Sequence, residues 1–260
     1  MKSKHVVAGV CFSILSVICF SAQAALPLVG NKISTFIDKS DNSARANDIV
    51  TQALPDQNVS ITATTQAWIG SGLRNGKFVG YIDHYSLNEP QSNYVYSQAY
   101  LSLPLHIASK YQKAKQLTRL DKIYRQRLGI ESRFANTDQL RGERSVSWAR
   151  ATDFLGNIQQ LAGQRVDYII ADKYMLEEFN KLLVSNGEEP LYLSSKPVFI
   201  VDVSVALLAT TPNAKNLIET FNTNIAQMQE QDEIERIMNP PATSPSLLDE
   251  SLYEDIIRRW

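Results

Sequence analysis

The feature that most limits this chain is an alternation of short apolar strands with amphipathic helical stretches along almost its whole length. Residues 33–37 read as a strand. Asp41 or Ser43 can cap a helix running to Leu54, with Ala44, Ile49 and Ala53 among its apolar positions. Val59, Ile61 and Ala63 alternate as strand residues do. Thr64 or Thr65 can cap the next helix, which Gly76 ends, and residues 79–82 form another strand. A β-α-β-α-β order implies parallel strands, because a hairpin cannot join parallel neighbours and a helix must carry the chain back.

The middle of the chain repeats this logic. Residues 127–131 carry Leu128 and Ile130, and 145–149 form a short strand. Thr152 can cap a helix ending at Gly163. The run 166–171 (Val-Asp-Tyr-Ile-Ile-Ala) is the strongest strand signal. Asp172 follows it, placed to cap a helix up to Asn186-Gly187. A strand over 203–209 precedes a long helix from about Pro212-Asn213 to Met238. Pro240, Pro241 and Pro245 then break the chain. Within 246–260, Leu247, Leu248, Tyr253, Ile256 and Ile257 fall in approximate helical spacing, as a helix that packs back on the body or docks a partner.

The N-terminus predicts export. Lys2 and Lys4 precede an apolar run over 6–20, and Ala22-Gln23-Ala24 supplies small residues where a signal peptidase reads. Residues 1–24 are expected to be a signal peptide cleaved after Ala24, which places the protein in a periplasm. Both cysteines, Cys11 and Cys19, fall within that segment, so the remainder has no thiol nucleophile, disulfide or thiolate metal site. His84 and His106 are its only histidines. With 26 Lys plus Arg against 27 Asp plus Glu, there is no basic excess to hold a phosphate backbone, so no nucleic-acid partner is expected. Gly70-Ser-Gly-Leu-Arg-Asn-Gly-Lys77 fails as a nucleotide loop. Asn75 replaces a fingerprint glycine, Phe78 stands where Ser or Thr must follow Lys77, and the segment ends a helix instead of starting one. No cofactor or metal is expected.

Four segments, read in order, resemble the family 3 extracytoplasmic solute-binding proteins, the amino-acid-binding components of ABC transporters. They are Leu73-Arg-Asn-Gly-Lys-Phe-Val-Gly-Tyr-Ile82, Tyr96-Ser-Gln-Ala-Tyr100, Leu161-Ala-Gly-Gln-Arg-Val-Asp-Tyr-Ile-Ile-Ala-Asp172, and Ser204-Val-Ala-Leu-Leu-Ala-Thr-Thr-Pro-Asn213. The resemblance implies a type II periplasmic-binding fold of class α/β. It has two lobes, each a mixed, mostly parallel sheet flanked by helices, joined by two crossover strands. Lobe 1 would comprise residues 25–106 with 201–240, lobe 2 residues 107–200, and 241–260 a tail helix. The sequence departs from the family where its carboxylate-gripping arginine belongs: that position is Pro90, within Leu87-Asn-Glu-Pro-Gln91. The aspartate that follows the family's Gly-Lys is Val79. A glycine of the second lobe's anion loop falls near Arg133. The aspartate that accepts an α-amino group persists as Asp172.

The resemblance implies a ligand cleft between the lobes. Asp172 is a helix cap, an ammonium acceptor, or both. Arg133 is a substitute carboxylate clamp from the opposite lobe or a solvated surface arginine, and Arg150, just before the Thr152 cap, is a second candidate on the same reasoning. Asp83, His84, Tyr85 and Ser86 follow a strand end, with His84 as a pH-sensitive contact or a structural histidine, and Tyr85 as a stacking surface. Phe36 and Asp38 close the first strand. Trp148 and Phe134 approach the cleft or belong to the core. The expected function is binding of a small polar solute, an amino acid or amino-acid-like metabolite, by a monomer that serves an ABC permease or a membrane sensor. The alternatives are a docking protein with a degenerate site and an exported enzyme. The enzyme would be similar to cyclohexadienyl dehydratases, with Glu89, Glu131, Asp83 and His84 as its cleft-side acid–base groups; no activity is expected.

Overall fold

The structure, a computed structural model, describes residues 25–38, 44–123, 126–241 and 243–260. The expected signal peptide and the capping candidates Asp41 and Ser43 lie outside the described residues. The chain opens on strand β1 (Ala25–Asn31), followed by α1 (Arg45–Gln52), β2 (Asn58–Thr64), α2 (Gln66–Arg74) and β3 (Gly80–Tyr85). β1 pairs in parallel with both β2 and β3. Leu28 and Val29 of β1, on opposite faces, are fully buried, as a strand covered by helices on both sides requires. Gly80 lets β3 approach the sheet centre closely: a side chain there would collide with the carbonyl of Ala206.

A short β4 (Tyr94–Tyr96) leads into the long β5 (Leu101–Ser109), and two 3₁₀ turns follow. The pattern then repeats as β6 (Arg127–Glu131), the one-turn helices α3 (Ser132–Ala135) and α4 (Asp138–Arg141), β7 (Ser147–Ala151), α5 (Phe154–Ala162), β8 (Tyr168–Asp172) and α6 (Lys173–Ser185). β6 lies parallel to β7 and β8. After β9 (Tyr192–Leu193), the long β10 (Phe199–Leu208) returns beside β5. The main path of the sheet is β2-β1-β3-β10-β5-β8-β6-β7. Each outer triplet thus has its middle strand first in sequence, and β10 and β5 join the triplets by antiparallel pairing. This is a two-lobed, curled α/β sheet. The chain ends with α7 (Ala214–Glu230), α8 (Glu233–Met238) and α9 (Glu250–Ile257).

Several expectations shift. Residues 33–37 form a tight turn closed by one antiparallel bridge, with Thr35 at φ 65°; the first strand is the apolar run just before it. The long helix expected to reach Met238 breaks where Asp232 takes φ 55°. The cap of α5 is Asp153, not Thr152, and its carboxylate accepts the Gly156 N–H at 2.8 Å. The strand expected over 145–149 lies two residues later.

The C-terminal segment packs back on the second half. Tyr253, Ile256 and Ile257 are buried, and Phe179 meets Tyr253 and Trp260 with ring centroids 5.4 and 5.3 Å apart. The buried Glu178 carboxylate accepts the Leu247 N–H at 2.6 Å, and Lys110 lies 4.0 Å over the Trp260 ring.

Candidate functional site

Parallel α/β sheets build sites at the carboxyl ends of their strands, where side chains emerge beside helix starts. Here β1 and β3 end in Asn31 and Tyr85, and β6 and β8 end in Glu131 and Asp172. Three of these ends, Tyr85, Glu131 and Asp172, meet at one guanidinium. Arg133 grips Glu131 with two parallel bonds, Nε to Oε2 and Nη2 to Oε1, both 3.0 Å. Its Nη2 also donates to Asp172 Oδ2 at 2.8 Å, and Nη1 reaches the Tyr85 hydroxyl of the other half at 3.4 Å. The guanidinium lies 4.1 Å over the Phe134 ring, which in turn meets Tyr85 at 5.5 Å. The side chains of Arg133, Glu131 and Asp172 are 8%, 2% and 0% exposed. Asp172 has a second duty, since Oδ1 accepts the Met175 N–H at 3.0 Å and caps α6.

Asp83, on the same face of β3 as Tyr85, is held by Asn31, whose backbone N–H and side-chain amide donate to Oδ2 at 3.0 and 2.6 Å. Burial pushes the Asp83 carboxyl above its ordinary range, against the lowering pull of the Asn31 bonds and of Arg133. Burial likewise pushes Glu131 up, with Arg133 opposing. Burial alone would lower Arg133, but Glu131, Tyr85 and Asp172 outweigh it and hold the guanidinium firmly charged. Burial also raises the Tyr85 hydroxyl, so it stays protonated. Two carboxyl groups therefore bind one guanidinium in a desolvated space, and a third, Asp83, is held by Asn31 within reach of its charge.

The two halves touch on either side of this cluster. On one side Arg45, 1% exposed, donates to the Thr35 carbonyl at 3.2 Å, the Thr35 hydroxyl at 2.6 Å and the Met238 carbonyl at 3.0 Å. It lies beside the contacting rings of Phe36 and Tyr174, 4.3 and 5.8 Å from their centroids. Thr35 itself donates to Met175 Sδ at 3.4 Å across the gap. These bonds hold Thr35 in a backbone conformation that β-branched residues avoid. On the other side the Gln139 N–H donates to the Leu87 carbonyl at 3.2 Å, and the Glu89 N–H to Asp138 Oδ2 at 3.1 Å.

Of the residues singled out from the sequence, the structure brings Asp83, Tyr85, Arg133, Phe134 and Asp172 together. The others lie elsewhere. Phe36 is a buried ring beneath Arg45, and Asp38 is 3.8 Å from Lys32. His84 alternates with Asp83 and Tyr85, so it points to the opposite face and packs against Tyr96 at 4.5 Å. Ser86 is exposed and accepts the Asp202 N–H at 3.0 Å. Trp148 and Arg150 sit on β7, at the far edge of the sheet from β3, so neither joins the cluster; Trp148 Nε1 is buried with no partner, and Arg150 lines a groove beside α5 and α9. Sequence reasoning missed Asn31, Thr35 and Arg45, and named Glu131 only as an acid–base candidate. Placing the first strand at 33–37 instead of 25–31 hid Asn31 as a strand-end residue.

No protein-family model matches the chain, and no curated relative matches it. Solved structures do. The GluR0 ligand-binding core in complex with L-glutamate superposes with a TM-score of 0.68 at 12% identity, over 84% of this chain and 97% of that one. An amino acid ABC transporter substrate-binding protein, AbpA from Streptococcus pneumoniae, bound to L-arginine, gives 0.60 at 12% identity, over 90% and 95%. The VFT2 domain of Bordetella pertussis BvgS gives 0.65 at 11% identity, over 82% and 91%. The shared feature is the two-lobed type II periplasmic-binding fold, covering nearly all of each neighbour.

Proposed function

We propose that this protein binds a small amine-bearing solute, an amino acid or an amino-acid-like metabolite, between its two halves. The observation that carries this is the surplus of carboxyl groups around Arg133. Glu131 and Asp172 both bind one guanidinium, Asp83 lies near enough to feel its charge, and burial penalises Asp83 and Glu131 when ionised. A zwitterion resolves that imbalance. Its carboxylate replaces one carboxylate partner of Arg133, and its ammonium pairs with the carboxyl groups released or left short of donors. Charge-assisted bonds made in a dry space are strong, so exchange of internal ion pairs for ligand ion pairs is feasible once the halves part. The solved neighbours that hold L-glutamate and L-arginine support this reading, as does the export signal read from residues 1–24. In a periplasm such a protein would hand its solute to an ABC permease or a membrane sensor.

One observation favours a second reading. Arg133 is already saturated by Glu131, Asp172 and Tyr85, and hydrogen bonds join the halves on both sides of it. A protein built this way could stay closed without a solute and act by docking to a membrane partner.

A thermal-shift screen of the purified protein, unfolded and refolded to strip any bound solute, separates the two. Amino acids, polyamines, organic acids and small sugars would be tested at millimolar concentration. A micromolar site then gains about 4 kcal/mol, a plain rise in Tm. The binding reading expects a specific amine-bearing hit that Tyr85→Phe weakens and Arg133→Lys weakens further. A blank screen on well-folded protein, with unchanged compaction in small-angle scattering, overturns it in favour of the docking reading.

A further inference from the structure

We infer a second binding site, for a small oxyanion, in the groove between α5 and the C-terminal helix α9. The groove has a volume of about 580 Å³, within the range of small-molecule sites. Its walls carry three arginines from three separate elements: Arg150 at the edge strand β7, Arg165 after α5, and Arg259 after α9. Among the described residues none of these guanidinium groups has an ion-pair or side-chain hydrogen-bond partner. The anionic groups that would otherwise neutralise them are occupied. Asp255, in the same wall, is paired with Arg258 at 3.2 Å. The last carbonyls of α5 are taken as well, Gln159 by the Gly163 N–H and Gln160 by the Arg165 N–H.

Three unpaired arginines around one concavity repel each other, and they are the group best shaped for bidentate bonds to carboxylate or phosphate. Gln160 completes the wall, with Nε2 donating to the Arg150 carbonyl at 3.1 Å. The chemistry that fits the three guanidinium groups is a small oxyanion, either a polycarboxylate or a phosphate. Ala151, Ala162 and Ile256 supply apolar wall around it. The site lies on the outer edge of the second half, apart from the Arg133 cluster, and needs the C-terminal segment to complete it.

The test is isothermal titration of the full protein at fixed ionic strength with three probes: citrate, inorganic phosphate, and tricarballylate, which is citrate without its hydroxyl. Saturable one-to-one binding of citrate or phosphate is expected, and whichever of the two binds identifies the source. Tricarballylate should bind about as well as citrate, because the three arginines read the carboxylates and not the hydroxyl. The triple variant Arg150→Gln, Arg165→Gln, Arg259→Gln should abolish binding without loss of the folded circular-dichroism signal, because all three side chains are exposed. Failure of both citrate and phosphate to bind, or binding that survives the triple variant, overturns the site.

Discussion

Arg133 and Arg45 are both buried, but their charges are balanced in opposite ways. Arg133 is held by carboxylates, two of its three hydrogen-bonding partners being ionisable acids from its own half. Among the described residues Arg45 touches no carboxylate; it spends its donors on two carbonyls and a hydroxyl, and lies against two aromatic rings. The first arrangement makes a site where charge can be exchanged. The second makes a fixed pin, because neutral carbonyls and ring faces leave nothing for a ligand to replace. Truncation should separate them. Arg133→Met strands Glu131 and Asp172 as buried, unpaired acids and should cost about 3–5 kcal/mol in urea unfolding. A loss under about 1 kcal/mol would mean that the acids simply take up protons, and would end the comparison. Arg45→Met keeps apolar contact with Phe36 and Tyr174 and abandons only neutral acceptors. It should cost about 1–3 kcal/mol by the same measurement.

The two acidic caps of the second half sharpen the contrast. Asp172 and Asp153 both accept a backbone N–H three residues on, at 3.0 and 2.8 Å. Asp172 is fully buried and carries Arg133, whereas Asp153 is exposed and carries nothing else. Asp153→Ala should cost about 1 kcal/mol, the value of an ordinary cap. It should leave any solute-induced rise in Tm unchanged. Asp172→Asn keeps a cap acceptor but removes the ion pair, so it should act on solute binding more than on the helix. Equal effects of the two substitutions on binding would show that Asp172 is only a cap.

Much of the frame was legible because strand and helix periods are local. The run ending in Asp172 identifies a strand and a cap at once, since burial on both faces demands continuous apolar residues. Arg133 was legible as a strand-end residue from its place after β6. What was hidden was long-range. Nothing local shows that Glu131 and Arg133, two residues apart, close on each other, or that Asn31 finds Asp83 across a sheet. Arg150 illustrates the reverse error: it too precedes a helix start, but it lies on the edge strand and turns outward, and only the sheet order reveals this. Arg45 looks like a surface helix residue, and only the positive φ of Thr35 folds the turn back onto it.

The smallest expected effects come from titration, and they set the two faces of β3 against each other. Burial lowers His84, on one face, and His106 on β5 below their ordinary value. The unfolded chain then binds protons that the native one refuses, so stability is full above pH 6.5 and is lost as pH falls below it. On the other face Asp83, with Glu131 beyond it, is raised by burial, so the native state holds protons that the unfolded one has released. That contribution is lost as pH rises from the ordinary carboxylate range through the raised native values. Each proton is worth at most about 1.4 kcal/mol per pH unit. Unfolding measured across pH 4 to 8 should therefore show a histidine-driven fall below about 6.5 that His84→Phe with His106→Asn flattens. Asp83→Asn should leave that fall in place and remove only its own share of the loss toward high pH, Glu131 keeping the rest. If Asp83→Asn instead flattens the acidic limb, the carboxyl is held ionised in the native state, and the charge surplus invoked to attract an amine is larger than the burial of Asp83 implies.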